Sequence, residues 1–211
     1  MSEETRTRLL EGALRCLVES GLAKTSARGV AAAAGVNQAL IFYHFGSVEE
    51  LLAAACRHGA RQRVESYRGE LEAAATLGEL LEVGRRVHAR ERAAGTVGAL
   101  AQLLAAAQAN PRLAQASAAG LELWAEELEA VLERVLAPTP VAGLVDVGGL
   151  ARALAAGFVG LELYEGADAE GAERALGALE QLGAMAEALN ELGPVAQRAV
   201  RSRLRRAARG A

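Results

Sequence analysis

The side chains whose types and spacing point to recognition chemistry cluster in one short stretch. Asn37 and Gln38 follow directly on Ala34-Gly35-Val36. A carboxamide carries a donor and an acceptor side by side, which matches the edge of adenine in the major groove of DNA. Other chemistries find less support. Three histidines and two cysteines are present, with no Cys-x-x-Cys pair and no Glu-x-x-His. A carboxylate-bridged metal bundle needs Glu-x-x-His on facing helices, and His88-Ala89-Arg90-Glu91 has the reverse order. Neither Gly-x-Ser-x-Gly, a phosphate-binding Gly-rich loop nor a dinucleotide fingerprint occurs. The expectation is therefore a protein without enzymatic activity, catalytic residues, cofactor or metal.

Elements that would position Asn37 and Gln38 follow from the periodicity. Leu10, Ala13, Leu14 and Leu17 recur at helical spacing, which predicts a helix over 3–20 that stops at Ser20-Gly21. Thr25-Ser26 can cap a short helix over 27–34. Gly35 then breaks the chain, and a second short helix is expected over 37–44. Gly46-Ser47 breaks it again, and Ser47 with Glu50 reads as a capping box at the head of a long helix over 48–74. A supporting helix and two short ones around a tight turn form a helix-turn-helix. Its turn needs a permissive residue, here Gly35. The crossing of the helices needs small residues, supplied by Ala31 and Ala34, and Val36 can pin the second helix.

Residues 21–51, GLAKTSARGVAAAAGVNQALIFYHFGSVEEL, resemble the DNA-binding signature of the TetR/AcrR family. The matching features are Gly21, Thr25-Ser26, Arg28, Ala31, Ala34-Gly35-Val36, Phe42-Tyr43-His44-Phe45, and Ser47 before Glu49-Glu50-Leu51. The resemblance implies that Thr25 or Ser26 meets a phosphate at a helix N-terminus. It implies Arg28 on phosphate or a nearby base, and Asn37, Gln38 and Ala39 on base edges. Tyr43 and His44 would lie along the backbone, with Ser47 beside it. Two positions depart from the family: Phe42 replaces its commonest tyrosine, and Val48 stands where a phosphate-binding lysine is usual. Residues 1–48 carry Arg6, Arg8, Arg15, Lys24 and Arg28 against Glu3, Glu4, Glu11 and Glu19, so a gentle salt dependence is expected.

The rest of the chain also reads as helix, with segments near 77–93, 97–109, 112–136, 144–165, 170–192 and 195–208. Breaks fall at Gly- and Pro-containing turns. Hydrophobic residues make up 52% of the sequence and aromatics only 3%, so Ala and Leu carry the apolar content and favour helix. The predicted fold class is all-α. It comprises an N-terminal three-helix helix-turn-helix domain over 1–47 and a C-terminal helical ligand-binding and dimerisation bundle over 48–211. A protein reading paired half-sites must be two-fold symmetric. Gly149, Ala153, Ala156 and Gly160 form a small-residue stripe beside Leu161, and the next helix offers Leu176, Leu179, Leu182 and Met185. These residues are expected at a homodimer interface, the alternative being that the stripe packs within one subunit.

Polar or aromatic side chains on apolar helices nominate a pocket for a small-molecule effector: Tyr67, His88, Gln102, Gln108, Trp124 and Phe158. For each a plain role competes: Trp124 with Leu121 and Leu128 makes a core stripe, and His88 among Arg85, Arg86, Arg90 and Arg92 can be solvated. An interior of Ala, Leu and Val favours an apolar or weakly polar ligand. The basic tail, Arg198, Arg201, Arg203, Arg205, Arg206 and Arg209, reads as a solvated helix face.

The formal net charge is −3, which argues against a general polyanion binder. Met1-Ser2-Glu3-Glu4 does not begin a secretory signal, and no apolar run approaches the roughly 18 residues of a membrane span. A cytoplasmic protein with no membrane partner is expected, and Cys16 and Cys56 suit a reducing compartment. The expected function is ligand-responsive transcriptional regulation, as a repressor of a double-stranded, pseudo-palindromic operator. The alternative is a helical small-molecule-binding or protein-interaction module with weak or no DNA binding.

Overall fold

The computed structural model describes residues 2–208, and the side chains among them except Ser2, Asn190, Pro194, Ala207 and Ala208. Arg209 lies outside the described residues. The elements are α1 Ser2–Ser20, a 3-10 turn Leu22–Lys24, α2 Ala27–Ala34, α3 Ala39–Phe45, α4 Val48–Ala73 and α5 Leu77–Ala93. They continue as α6 Thr96–Ala107, α7 Pro111–Leu136, α8 Val147–Glu165, α9 Ala169–Asn190 and α10 Pro194–Ala208. No strand occurs among the described residues, so the all-α expectation holds. The largest shift in a boundary is at α8. Asp146 caps it by accepting from Gly149 N at 3.0 Å, so the helix begins three residues later than the apolar pattern suggested.

By compactness the chain forms two units, 1–66 with 91–124, and 67–90 with 125–211. In the first, Leu9, Leu10, Ala13 and Leu17 of α1 pack with Val30, Ala31 and Ala34 of α2, Ile41 of α3, and Leu51, Leu52 and Ala55 of α4. Ala99, Leu103 and Leu113 join them from α6 and α7. Burying such Leu and Val side chains stabilises by about 1.5–3 kcal/mol each.

In the second unit Tyr67, Leu71, Leu80, Val83, Val87, Val131, Leu132, Val135 and, from α8, Ala151, Ala155 and Val159 are buried. Arg134 Nη2 donates to the carbonyls of Leu71 and Ala74 at 3.0 and 2.9 Å, satisfying the open end of α4. On α5, Arg85 pairs with Glu173 and Glu180, while Arg86 and Arg90 pair with Glu70. These surface pairs explain why the arginines around His88 face water although His88 itself does not.

One expectation is corrected. α8 has the length of a membrane span and a mean hydropathy of 1.3, although only 17% of that stretch is buried within the chain. It does not read as an unbroken apolar run because Arg152 and Glu162 interrupt the segment. Its apolar surface is broad because it is not confined to the face packed on its own chain.

Candidate nucleic-acid interface

The interface is built from the α2 end outward. Ser26, in extended conformation, caps α2 by accepting from Gly29 N at 3.2 Å. Thr25 instead donates its hydroxyl to Gly21 O at 2.9 Å, so of the two hydroxyls Ser26 is the cap. Gly35 ends α2 in the left-handed region (φ 63°), where any other residue is strained. Its N–H reaches Ala32 O at 3.1 Å, and Val36 N–H reaches Ala31 O at 3.0 Å. This pair of bonds closes the helix and turns the chain toward α3.

α2 is held against α1 by contacts the periodicity did not reveal. A Cβ at Gly12 would lie 3.0 Å from Ala34 Cβ and 3.1 Å from both Ala34 N and Val30 O, so only glycine lets the helices cross this closely. Arg8 donates to the carbonyls of Ala34 and Gly35 at 3.1 and 2.8 Å, and Arg15 to Ala33 O at 2.6 Å. Two of the cations counted toward DNA therefore satisfy the carbonyl end of α2. Arg6 lies over the Phe45 ring, 5.3 Å from its centroid.

α3 is anchored by Ile41, which is fully buried, with Leu40 and Phe45 packed beside it. The opposite face is open. Asn37, Gln38, Ala39, Phe42 and Tyr43 are exposed, Tyr43 to 79%, together with Lys24, Ser26 and Arg28 on the neighbouring elements. Asn37 Oδ1 accepts from Ala39 N at 2.8 Å and starts the helix. What Asn37 retains for an outside partner is its amide N–H2. His44 is half-buried and packs edge-on against Tyr43, with ring centroids 4.9 Å apart. Ser47 caps α4 by accepting from Glu50 N at 3.1 Å, while the Glu50 carboxylate lies 3.3 Å from Arg112.

This arrangement, a short exposed helix pinned by one aliphatic side chain behind a glycine turn, coincides with a sequence match. Residues 9–55 match the family described as bacterial regulatory proteins, tetR family. Over that stretch the chain is similar to the family. The repressor AcnR of Corynebacterium efficiens is 37% identical over 62 residues, which are 29% of this chain and 33% of the relative. The chain thus spans about a third of the length of the curated relatives it matches. A transcriptional regulator of Streptomyces coelicolor is similar in fold with a TM-score of 0.66 at 25% identity, covering 85% of this chain and 98% of that one. A TetR-family regulator from Cytophaga hutchinsonii gives 0.72 at 21% identity, covering 88% and 96%. These relatives are regulators rather than enzymes.

The other nominated residues divide. Gln102, Gln108 and Trp124 fall in the first unit. Gln102 accepts from Leu22 N at 2.7 Å, bracing the 3-10 turn, and Gln108 is exposed where α6 ends. Tyr67, His88 and Phe158 fall in the second unit, where His88 meets Phe158 edge-on at 5.9 Å and Arg90 lies 5.8 Å from the Tyr67 ring. The solvated reading of His88 is overturned: it is only 5% exposed, with Glu162 and Glu165 beside its ring nitrogens. Sequence spacing missed this because the three residues come from α5 and α8, 74 and 77 positions apart.

On α8 and α9, Gly149, Ala153, Ala156, Gly160, Leu179 and Leu182 are exposed, and Leu161 and Leu176 are half-buried. A Cβ at Gly160 would meet nothing within 4 Å. In the single chain this face is therefore open rather than packed.

Proposed function

We propose that this chain is a TetR-family regulator that binds a pseudo-palindromic DNA operator as a homodimer, represses transcription from it, and is released by a small-molecule effector. Residues 1–47 act as the DNA-binding domain and 48–211 as the effector-binding and dimerisation domain. The observation that carries the reading is α3: Ile41 fixes the helix from behind while Asn37, Gln38, Ala39 and Tyr43 stand in solvent. Gln38 pairs with a base edge, Ala39 meets a thymine methyl, and Asn37 donates its amide protons. Ser26, Arg28, Tyr43 and the flanking Thr25, His44 and Ser47 hold the phosphates.

The second copy sits on α8 and α9. Two half-sites one helical turn apart need a two-fold protein. The exposed stripe of small residues lets helices approach closely, and Leu179, Leu182 and Met185 supply apolar area for the contact. The effector domain comprises the candidates Tyr67, His88, Gln102, Gln108, Trp124 and Phe158. Acting on DNA, the protein works in the cytoplasm.

Fluorescence anisotropy against DNA fragments from around its own gene, across a salt series, tests the proposal. The expected result is saturable binding of a dimer to one fragment, lost when Asn37 and Gln38 are both changed to Ala. Weak binding, equal on every fragment and abolished by modest salt, would overturn it.

A further inference from the structure

The second unit holds a buried polar cluster that DNA recognition does not use. Glu162 and Glu165, one turn apart on α8, meet His88 of α5. His88 and Glu162 are only 5% and 8% exposed, and the Phe158 ring closes one side of the imidazole. His88 Nε2 lies 2.8 Å from Glu165 Oε2, and in the tautomer that carries the ring proton on Nε2 a lone pair stands on Nδ1.

That lone pair faces Glu162 Oε1 at 2.9 Å, yet Nδ1 makes no hydrogen bond. A nitrogen lone pair and a carboxylate oxygen this close repel each other unless they share a cation. A proton on Nδ1 would meet that need as an ion pair, but no aligned hydrogen bond joins the two atoms. A metal ion placed off the line between the two atoms satisfies both. One donor atom from each of the three residues lies within 4.8 Å of the others, a span that an ion with ligand bonds of about 2.0–2.2 Å can bridge after small rotamer shifts.

We propose that His88 and Glu162 ligate a divalent first-row transition-metal ion, with Glu165 holding the imidazole in orientation through Nε2. A mixed imidazole and carboxylate donor set suits zinc, cobalt, nickel or manganese. It does not suit calcium or magnesium, which take oxygen ligands, or copper(I), which takes sulfur. Glu165 acts as the outer carboxylate that fixes the ring. Water fills the remaining positions. The ion ties α5 to α8 within the region proposed to take the effector. The inference adds a ligand class to that reading, and its test is read without DNA.

The test is a cobalt(II) titration of the metal-free full-length chain, followed by visible absorption and by NMR of the histidine ring protons. Saturation at one ion per chain is expected. Of His44, His58 and His88, the His88 signals should be shifted or broadened first. Glu162→Gln should weaken binding by about a hundredfold or more, Glu165→Gln by about 10–100-fold, and Glu173→Gln, which alters a surface pair with Arg85, should leave it unchanged. Absence of saturable binding to cobalt or zinc would overturn the proposal, as would equal binding by Glu162→Gln or perturbation of His44 or His58 in place of His88. The ring-proton signals are read on the unaltered chain, so that outcome does not depend on how well the variants fold.

Discussion

The two compact units treat their apolar side chains differently. In the first, Leu9, Leu17, Ile41 and Leu51 are sealed inside, and apart from Phe42 and Tyr43 on α3 the exposed large hydrophobics among the described residues reduce to Val18. In the second, α8 and α9 hold out Leu163, Tyr164, Leu179, Leu182 and Met185, the last two to 61% and 65%. Its interior also encloses His88 and Glu162. The two surfaces differ in chemistry accordingly. In the proposed function a polyanion would be met by carboxamides, hydroxyls and a few cations on a rigid helix. A second copy of the chain would be met by an apolar face, since contiguous exposed apolar surface in a folded chain marks a place where something docks.

The largest expected effect breaks that contrast at its apolar end. Leu182→Glu combined with Met185→Glu places two charges on a face that is exposed in the single chain, so folding should survive. Sedimentation should show a monomer in place of a dimer. Affinity for a full palindromic site should fall by about a hundredfold or more, because the second half-site contact is no longer tethered to the first. A variant that remains dimeric would move the interface off α9.

The next effect tests the sealed unit. Gly12→Val brings a branched side chain against Ala34 Cβ and N, at 3.0 and 3.1 Å from the added Cβ. Overpacking of this kind costs about 1–3 kcal/mol, so the thermal midpoint should drop and DNA binding should weaken as α2 is pushed off α1. Unchanged stability would mean that α2 can shift without cost.

How far these features were legible from the sequence follows from the range of the contacts that make them. The turn between α2 and α3 was legible because its bonds span at most five residues, Val36 N–H to Ala31 O being the longest. Gly12, Arg8 and Arg15 were not, since their partners lie on another helix, 27 residues away for Arg8 and Gly35. Arg8 and Arg15 were counted as cations for DNA, and only the fold shows them closing α2. The small-residue stripe on α8 was legible as a pattern, but whether it faced in or out needed the packing. His88 had one local signal: it adjoins the buried stripe Leu80, Val83 and Val87 of α5, which extends the apolar face by one position. Its carboxylates on α8 could not be assigned to it by spacing.

A smaller effect sharpens the polar end of the comparison. Gln38→Ala should cost about 1–3 kcal/mol on the operator and relax specificity at one base pair. Arg28→Ala should weaken all sequences alike and lower the slope of log affinity against log salt by about 0.9. The wild-type slope itself should be shallow, because Arg8 and Arg15 are occupied within the unit. Anisotropy at several salt concentrations measures both.

The smallest effect separates the units by how they close their helix ends. The first uses neutral caps, Ser26, Asn37, Ser47 and Asn110, whereas in the second Thr76 caps α5 but the carboxylates Asp146 and Asp168 cap α8 and α9. The Gly171 N–H, and then the Tyr164 hydroxyl, hold the Asp168 carboxyl below its usual range. A group whose value is lowered on folding contributes stability above its unfolded value, and loses it as pH falls through the folded one. Asp168→Ala should therefore lower the thermal midpoint at pH near 7, by less than Gly12→Val does. The gap from wild type should close as the pH is taken down through and below the ordinary carboxylate range of about 3.9. Ser26→Ala has no such titration and should keep its cost of about 1 kcal/mol at any pH where the fold survives. Thermal melts of the three chains at neutral and acid pH decide it. A gap for Asp168→Ala that persists in acid would show that the Asp168 side chain caps α9 as well when neutral as when charged.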